Sequence, residues 1–395
     1  MILVLGVGIV GKAVLNYFKD KRVCFFDDKI KFFEGMAFFD PLDSQSWAQI
    51  RLVVASPGFA LKHDIIQEAI RRQIPITNDI GIFLNQRHDG IKIGITGTNG
   101  KSTTCALLKH VLGDNALVGG NFGISPLDFG PADFYILELS SYQLELLEKD
   151  ELSKLEIGVI VNIYPNHLAR HGSFNDYISA KCRIFSAKHK ILGFCPLFEN
   201  WDLPKAKIPE NLPNSPLFDK QEYKYCWGII EMILEILGLD IEKARQKAAN
   251  YKCLTYRQED VAQNPIRVIN DSKSSNSVAA KQALANLTDF VCWMAGGAGT
   301  SDWSDFERFS GNIKKVIICG DSNSQEELVK ICTDLGLDFE IFASFEEAVQ
   351  VGLKFSIENR LTFLFSPGYQ SFDKFQNFEH RGQIFNELIA KFLES

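Results

Sequence analysis

Apolar residues along this chain gather in short unbroken runs, each closed by glycine, serine or asparagine and followed by a stretch of helical spacing. Residues 2–5, 22–26, 52–55, 74–76, 91–95, 116–118, 134–138, 157–162 and 291–295 read as such strands. Continuous runs, rather than strict alternation, belong to strands covered on both faces, which is the pattern of parallel sheets with helices on either side. Between them, residues 102–112 place Ala106, Leu107, His110 and Val111 at helical intervals, and another helix is predicted from about residue 278. The pattern therefore predicts an α/β chain with mostly parallel sheets.

The most informative junction is Gly94-Ile95-Thr96-Gly97-Thr98-Asn99-Gly100-Lys101-Ser102-Thr103, between a predicted strand and a predicted helix. Glycines there let backbone N–H groups close around an anion at a helix N-terminus, where the helix dipole adds its attraction. Lys101 would reach the terminal phosphates and the Ser102 hydroxyl would sit on Mg²⁺. A plain strand–turn–helix link with a solvated lysine is the bland alternative, and the Gly-Lys-Ser-Thr ending speaks against it. The usual first glycine of such a loop falls on Ile95, so the spacing departs from the common form.

A second junction opens the chain. Residues 2–5 run into Gly6-Val7-Gly8-Ile9-Val10-Gly11, a dinucleotide-type fingerprint, and the next strand ends in Asp27-Asp28, about where a carboxylate would meet a ribose. NAD is one reading and a ligand-free tight turn another. By itself the pattern supports a nucleotide diphosphate near a helix N-terminus, with Gly8, Ile9, Val10, Asp27, Asp28 and the next turn's Ser56 and Gly58 as candidates.

Length and composition narrow the choices. A chain of 395 residues calls for two or three domains. A net charge of −7 gives no basic surface for nucleic acid. Nine scattered cysteines without a C-x-x-C pair point to free thiols in a reducing cytoplasm. Residues 1–6 lack a basic leader and read as a first strand, not a signal peptide, and no apolar stretch has the length of a membrane span. The expectation is a cytoplasmic enzyme acting on small molecules, without membrane insertion, and a monomer.

In the middle of the chain, the apolar run 134–139 contains Glu138, which needs a partner if buried. A Mg²⁺ shared with Ser102 would provide one; a structural salt bridge is the alternative. A flexible turn at residues 119–123 carries Asn121. After the strand 157–162 come His167 and, fourteen residues on, Lys181.

Taken in order, Gly97-Thr98-Asn99-Gly100-Lys101-Ser102-Thr103, Leu137-Glu138-Leu139-Ser140-Ser141-Tyr142-Gln143 and the His167 to Lys181 block resemble the Mur ligase family. The Glu-Leu-Ser-Ser-aromatic-Gln string is similar to its D-glutamate-adding branch. The resemblance implies that Glu138, His167 and Ser102 hold Mg²⁺, two ions in all, and that Lys181 is carbamylated by CO₂. It also implies Gly97 to Thr103 as the ATP loop, and Asn121, Ser140, Gln143 and His167 as contacts to a UDP-linked acceptor. The family usually has acidic residues where this chain has Asn166 and Ala169.

Further on, Leu254-Thr255-Tyr256-Arg257 resembles the family's domain-joining Leu-Pro-His-Arg, so Arg257 is expected at ATP. Asp271 and Lys273 match residues that bring the last domain onto ATP and the acyl phosphate, with Ser275 where threonine is common. The helix N-cap role of Ser274 or Asn276 is the structural alternative there. Thr300 stands where a lysine usually contacts the incoming amino acid. Ser366-Pro367 and then Ser371-Phe372-Asp373-Lys374-Phe375-Gln376-Asn377-Phe378-Glu379-His380-Arg381-Gly382 are similar to the D-glutamate branch, making Ser371, Phe378 and Lys273 the expected amino-acid contacts. The three phenylalanines at helical spacing also fit a packed aromatic stripe.

The expectation is thus three α/β domains: residues 1–88, Rossmann-like, for the UDP substrate; 89–253, with the phosphate loop, for ATP; and 254–395, Rossmann-like, for the amino acid. The resemblance implies ATP-dependent joining of D-glutamate to UDP-N-acetylmuramoyl-L-alanine through an acyl phosphate. Lys101, His167, Lys181, Asp271 and Lys273 would be catalytic. Ligases adding other amino acids, folylpolyglutamate synthetases and, in a different class, a nicotinamide-dependent oxidoreductase are the alternatives.

Overall fold

The computed structural model describes every residue except 34, 87, 88 and 395, so the expected boundary at residue 88 lies outside the described residues. The chain forms two compact units, Met1–Tyr251 and Lys252–Ser395.

The first unit contains two five-stranded parallel sheets. In one, β1 (Ile2–Leu5), β2 (Val23–Phe26), β3 (Ala37–Phe38), β4 (Leu52–Ala55) and β5 (Ile76–Thr77) lie in the order β3-β2-β1-β4-β5. In the other, β6 (Ile91–Thr96), β7 (Ala116–Gly120), β8 (Phe134–Glu138), β9 (Ile157–Ile160) and β10 (His189–Leu192) lie in the order β10-β9-β6-β8-β7. Both orders reverse direction beside a central strand, β1 or β6, and open parallel sheets bind ligands at such points, off the carboxyl ends of the strands.

The apolar runs are buried as the pattern requires. Leu3, Leu5, Val53 and Ala55 pack one face of the first sheet, and Val4, Phe25 and Val54 the other. Around the second sheet, Leu137, Ile160, Tyr177 and Leu192 share a core with Ile80, Phe83 and Leu84 of the helix Asp79–Asn85. That helix follows β5 of the first sheet and packs on both: Ile80, Phe83 and Leu84 join the core of the second sheet, and Ile82 joins Val4, Phe25 and Val54 of the first. Three polar links hold the same seam: Thr77 donates to Glu151 at 2.7 Å, Asn78 to the Gln143 carbonyl at 2.9 Å, and Ser125 to Asp79 at 2.7 Å.

The second unit has one six-stranded sheet of β11 (Glu259–Ala262), β12 (Val268–Asn270), β13 (Val291–Ala295), β14 (Ile313–Ile318), β15 (Phe339–Ile341) and β16 (Thr362–Phe365). Their order is β11-β12-β16-β13-β14-β15, with only the β11–β12 pair antiparallel. All nine cysteines are free thiols, and none is exposed. Among the described residues no helix is long and apolar enough to cross a membrane.

The packed aromatic stripe, the structural alternative at Phe372, Phe375 and Phe378, does not form. The last helix begins at Phe378, and the preceding residues are turns, so helical spacing there has no helix to act through. Phe372 is exposed, whereas Phe375 packs edge-on against Phe345.

Candidate active site

The phosphate loop leaves β6 and enters the helix Lys101–Leu112 through Gly100, whose φ of +77° suits glycine and few other residues. Neighbouring backbone fixes its shape. Asn162, just past β9, accepts from the Thr98 N–H through its carbonyl at 2.9 Å and from the Asn99 N–H through its side chain at 3.0 Å. Thr98 exchanges hydrogen bonds with the Tyr164 backbone, and its hydroxyl lies 3.0 Å from that of Tyr177. Lys101 folds back to donate to the Gly97 and Thr98 carbonyls, both at 2.9 Å. Ser102 is buried at the first turn of the helix.

Lys181 reaches the same loop from the helix Phe174–Cys182. The residue is 2 % exposed; its amine donates to the Gly97 carbonyl at 2.8 Å and lies 4.7 Å from the Tyr177 ring centroid. Burial lowers its pKa well below the ordinary lysine value; Lys101 adds to the effect, and Glu138 opposes it. Two lysine nitrogens therefore share one backbone carbonyl.

Glu138 ends β8 and is 1 % exposed. Asn121 donates to its Oε1 at 2.7 Å, while its Oε2 is buried with no hydrogen-bond partner. No salt bridge to it occurs among the described residues, so the structural alternative for Glu138 does not materialise. A buried carboxylate oxygen left bare is costly unless a cation meets it, so the residues present fit a divalent ion here. Among the described residues, no cluster of three or more His, Cys, Asp or Glu side chains could hold a metal unaided.

His167 caps the one-turn helix Leu168–His171 in a left-handed conformation, with φ of +56°. Burial, reinforced by Lys101 and Lys181, pushes its pKa down to about 4, so the ring is neutral at pH 7 and free to act as a ligand. It sits 5.1 Å from the Tyr142 ring and 6.4 Å from that of Tyr177. Tyr177 thus touches the phosphate loop, Lys181 and His167. The sequence reasoning passed over it, although it lies four residues before Lys181 on the same helix face.

Also missed were Tyr142, Glu145, Arg170 and His171. Arg170 pairs with Glu145 at 2.6 Å, and His171 shares a hydrogen bond with Ser141 at 2.9 Å. Glu145, Arg170 and His171 line a cavity of about 360 Å³. Ser140 and Gln143 are engaged with each other in a capping box, at 3.0 Å.

In the first sheet, Gly8 caps the helix Ile9–Tyr17, and Ile9 is 81 % exposed. Asp27 braces the glycine turn by accepting from the N–H groups of Val7, Lys29 and Ile30. Its partial burial opposes ionisation, but these three donors outweigh it and hold the carboxyl below the usual range. Asp28 approaches His63 at 3.4 Å. Ser56 donates to the Gly6 carbonyl at 3.3 Å, and Gly58 is exposed.

Within the second unit, Asp271 accepts from Ser366 at 2.7 Å and from the Gln258 N–H at 3.2 Å. The Lys273 ammonium lies 3.7 Å from the Phe378 ring centroid, so two of the expected amino-acid contacts touch each other. Ser371 is buried, Ser275 and Thr300 are exposed, and Arg257 is half-buried in the turn before β11. Asn276, not Ser274, caps the helix Ser277–Ala285. Arg381 is 1 % exposed and binds Ser272 and the carbonyls of Tyr369 and Gln370. Burial lowers its pKa to about 10, opposed by Asp373 and Asp271, and its contacts make it a scaffold for this loop.

A strand, a glycine turn ending in Lys-Ser-Thr, and a helix, with a buried amine and carboxylate beside them, define a phosphate-loop nucleotide-binding enzyme. The family description "Mur ligase middle domain" matches residues 95–200. UDP-N-acetylmuramoylalanine–D-glutamate ligase of Rickettsia bellii is 30 % identical over 98 % of this chain and 96 % of its own. The protein of the same name from Rhodospirillum rubrum is 32 % identical, over 87 % of this chain and 82 % of its own. Among solved structures, a UDP-N-acetylmuramate-alanine ligase from Thermotoga maritima superposes with a TM-score of 0.61 at 17 % identity, covering 99 % of both chains. That similarity speaks to the fold. The chain belongs to the Mur ligase family and is an ATP-dependent ligase. Nothing in these comparisons supports a nicotinamide-dependent oxidoreductase.

Proposed function

We propose that this enzyme joins D-glutamate to UDP-N-acetylmuramoyl-L-alanine in the cytoplasm, as a monomer, forming one amide bond per ATP consumed in peptidoglycan precursor synthesis. The observation that carries the phosphoryl-transfer half is the pair of lysines on the Gly97 carbonyl beside a carboxylate with one bare oxygen. The name borne by relatives aligned over nearly the whole chain, together with Ser371 to Arg381, supports D-glutamate as the amino acid.

In this reading residues 1–88 hold the UDP end of the acceptor, 89–253 hold ATP, and 254–395 hold the amino acid. Backbone amides at Gly8 to Val10 meet the diphosphate, while Asp27 keeps their turn in shape. The loop from Gly97 to Thr103 encloses the ATP phosphates, and Lys101 swings from its carbonyls to the transferring group. The acceptor carboxylate attacks the γ-phosphorus, ADP leaves, and an acyl phosphate results. The amine of D-glutamate then attacks the acyl carbon, inorganic phosphate leaves with the C–O electron pair, and the nitrogen sheds a proton. Lys101 neutralises charge that grows in the first step, where fixed electrostatics do most of the work.

Ser102, Glu138 and His167 would hold Mg²⁺, which when bound neutralises phosphate oxygens. Burial lowers the Lys181 pKa and so favours the neutral amine that CO₂ requires. Its lone pair forms an N–C bond, one C=O pair moves onto oxygen, and a proton leaves nitrogen, so that a basic amine becomes an anionic carbamate fit for the same ions. Lys273, Ser275, Ser371 and Phe378 would receive the amino acid, and Arg257 and Asp271 would meet ATP.

The test is phosphate release from ATP with UDP-N-acetylmuramoyl-L-alanine and a panel of amino acids. Release that depends on D-glutamate is the expected result. Equal release with L-alanine, lysine or diaminopimelate, or release only with a folate acceptor, overturns the assignment.

A further inference from the structure

We infer that Arg170 is a positioning residue that clasps the turn after β4 to the segment carrying His167, and so governs affinity for the UDP-linked acceptor but not for ATP. This rests on the functional reading above. Arg170 lies three residues past His167, on the one-turn helix Leu168–His171. Its guanidinium donates to the Gly58 carbonyl at 3.1 Å and the Phe59 carbonyl at 2.9 Å, across more than a hundred residues of sequence. The same group pairs with Glu145 at 2.6 Å and lies 4.4 Å from the Tyr142 ring centroid. Tyr142 is in turn the aromatic neighbour of His167, at 5.1 Å.

One planar head thus contacts two carbonyls, a carboxylate and a ring. Arginine can do this because its donors point outward in a rigid fork while its faces stay free to stack; a lysine ammonium has neither property. Glu145 is held in place by a second neighbour, His171 Nδ1, at 3.5 Å. The outer side of the clasped turn is free: Gly58 is exposed, and a Cβ built on it would meet nothing within 4 Å. The contacts therefore come from beneath, leaving the upper surface for a ligand.

An acceptor bound at one end by turns of the first sheet and reacting at the other end over the phosphate loop requires those two places to keep a fixed separation. Arg170 ties the turn after β4 to Glu145 and to Tyr142, the ring beside His167, on the side of the reacting end. ATP, held by the loop from Gly97 to Thr103, does not need that registry. A shift of about 1 Å between the ends of a bound reactant can cost up to ~100-fold.

The experiment compares wild type with Arg170→Lys and Arg170→Ala in steady-state kinetics, and measures acceptor binding by calorimetry without D-glutamate. Arg170→Lys is expected to raise the acceptor KM and Kd about tenfold while the ATP KM stays within about twofold, and methylguanidinium should partly restore Arg170→Ala. Equal rises in both KM values, or an unchanged acceptor Kd, overturn the clasp. If Arg170→Ala fails to fold, Tyr142→Leu, which removes the ring that Arg170 stacks on and that neighbours His167, should raise the acceptor Kd in the same calorimetry; an unchanged Kd overturns the proposal equally. Wild type lacking D-glutamate dependence would count against the assigned reaction, whereas acceptor binding in the variants reports on Arg170 separately.

Discussion

Two strand–glycine–helix turns in the first unit solve the same backbone problem with different chemistry. The turn at Gly6 to Gly11 offers N–H groups, an exposed isoleucine and a carboxylate, Asp27, whose oxygens are taken by the backbone. The loop at Gly97 to Ser102 has two lysine nitrogens on one carbonyl and, among the groups around it, a buried carboxylate with an unsatisfied oxygen and an imidazole held neutral. The first presents backbone N–H groups and no reactive side chain. The second has charged groups in unstable poise, which binding and chemistry can relieve. A glycine-rich turn is thus evidence for phosphate, and the side chains behind it show whether phosphate reacts there.

The largest expected effect is at Lys181. Lys181→Ala should abolish phosphate release, and formate or acetate should restore part of it by supplying carboxylate oxygens in the vacated space. Undiminished activity in the plain variant would remove the carbamate from the reading. Next comes Lys101→Ala, expected to lower kcat by about 10²–10³ while acceptor binding measured by calorimetry is retained. Loss of acceptor binding instead would erase the division of labour between the two turns.

Much of this contrast was legible in the sequence because each turn is a contiguous string. Strand, glycines, Lys101 and Ser102 follow one another, so local geometry and local chemistry are read together. Glu138 stood out for the same reason, as a charge inside an apolar run. The cluster around Arg170 was not legible, since its acceptors lie at residues 58 and 59 and at Glu145, and only the folded sheets bring them together. Nor was the packing of the helix Asp79–Asn85, whose Ile80, Phe83 and Leu84 join the core of the second sheet while Ile82 joins that of the first. At Phe372 to Phe378 the helical periodicity, an alternative to the binding motif, has no helix behind it, since turns and bends precede the helix at Phe378.

Two glycines sharpen the comparison from the other side. A Cβ on Gly11 would come 1.8 Å from the Gly6 carbonyl oxygen, whereas one on Gly8 would meet nothing within 4 Å. Gly11→Ala should therefore distort the turn and cost about 1–3 kcal/mol of stability in a denaturant titration, with weaker acceptor binding as a consequence. Gly8→Ala should leave the melting temperature unchanged and still weaken the acceptor, because its methyl projects into open space at the helix N-terminus. If both variants melt alike and bind alike, the first turn is a structural connection without a ligand.

The smallest effect concerns Asp27, and its sign is fixed by the lowered pKa. A carboxyl whose pKa falls on folding stabilises the protein above its unfolded value, near the ordinary 3.8, and that contribution disappears as pH drops through the lower folded value. Asp27→Asn keeps one accepting oxygen but loses the charge, so it should melt slightly below wild type at pH 7. As the pH falls below about 4 the wild-type carboxyl is itself neutralised and the two melting temperatures should converge. The side chain is largely solvated, which keeps the gap small. A gap that widens in acid would mean that the backbone donors at Val7, Lys29 and Ile30 favour the neutral group. The brace beneath the first turn would then not be electrostatic, and that turn would owe its shape to glycine alone.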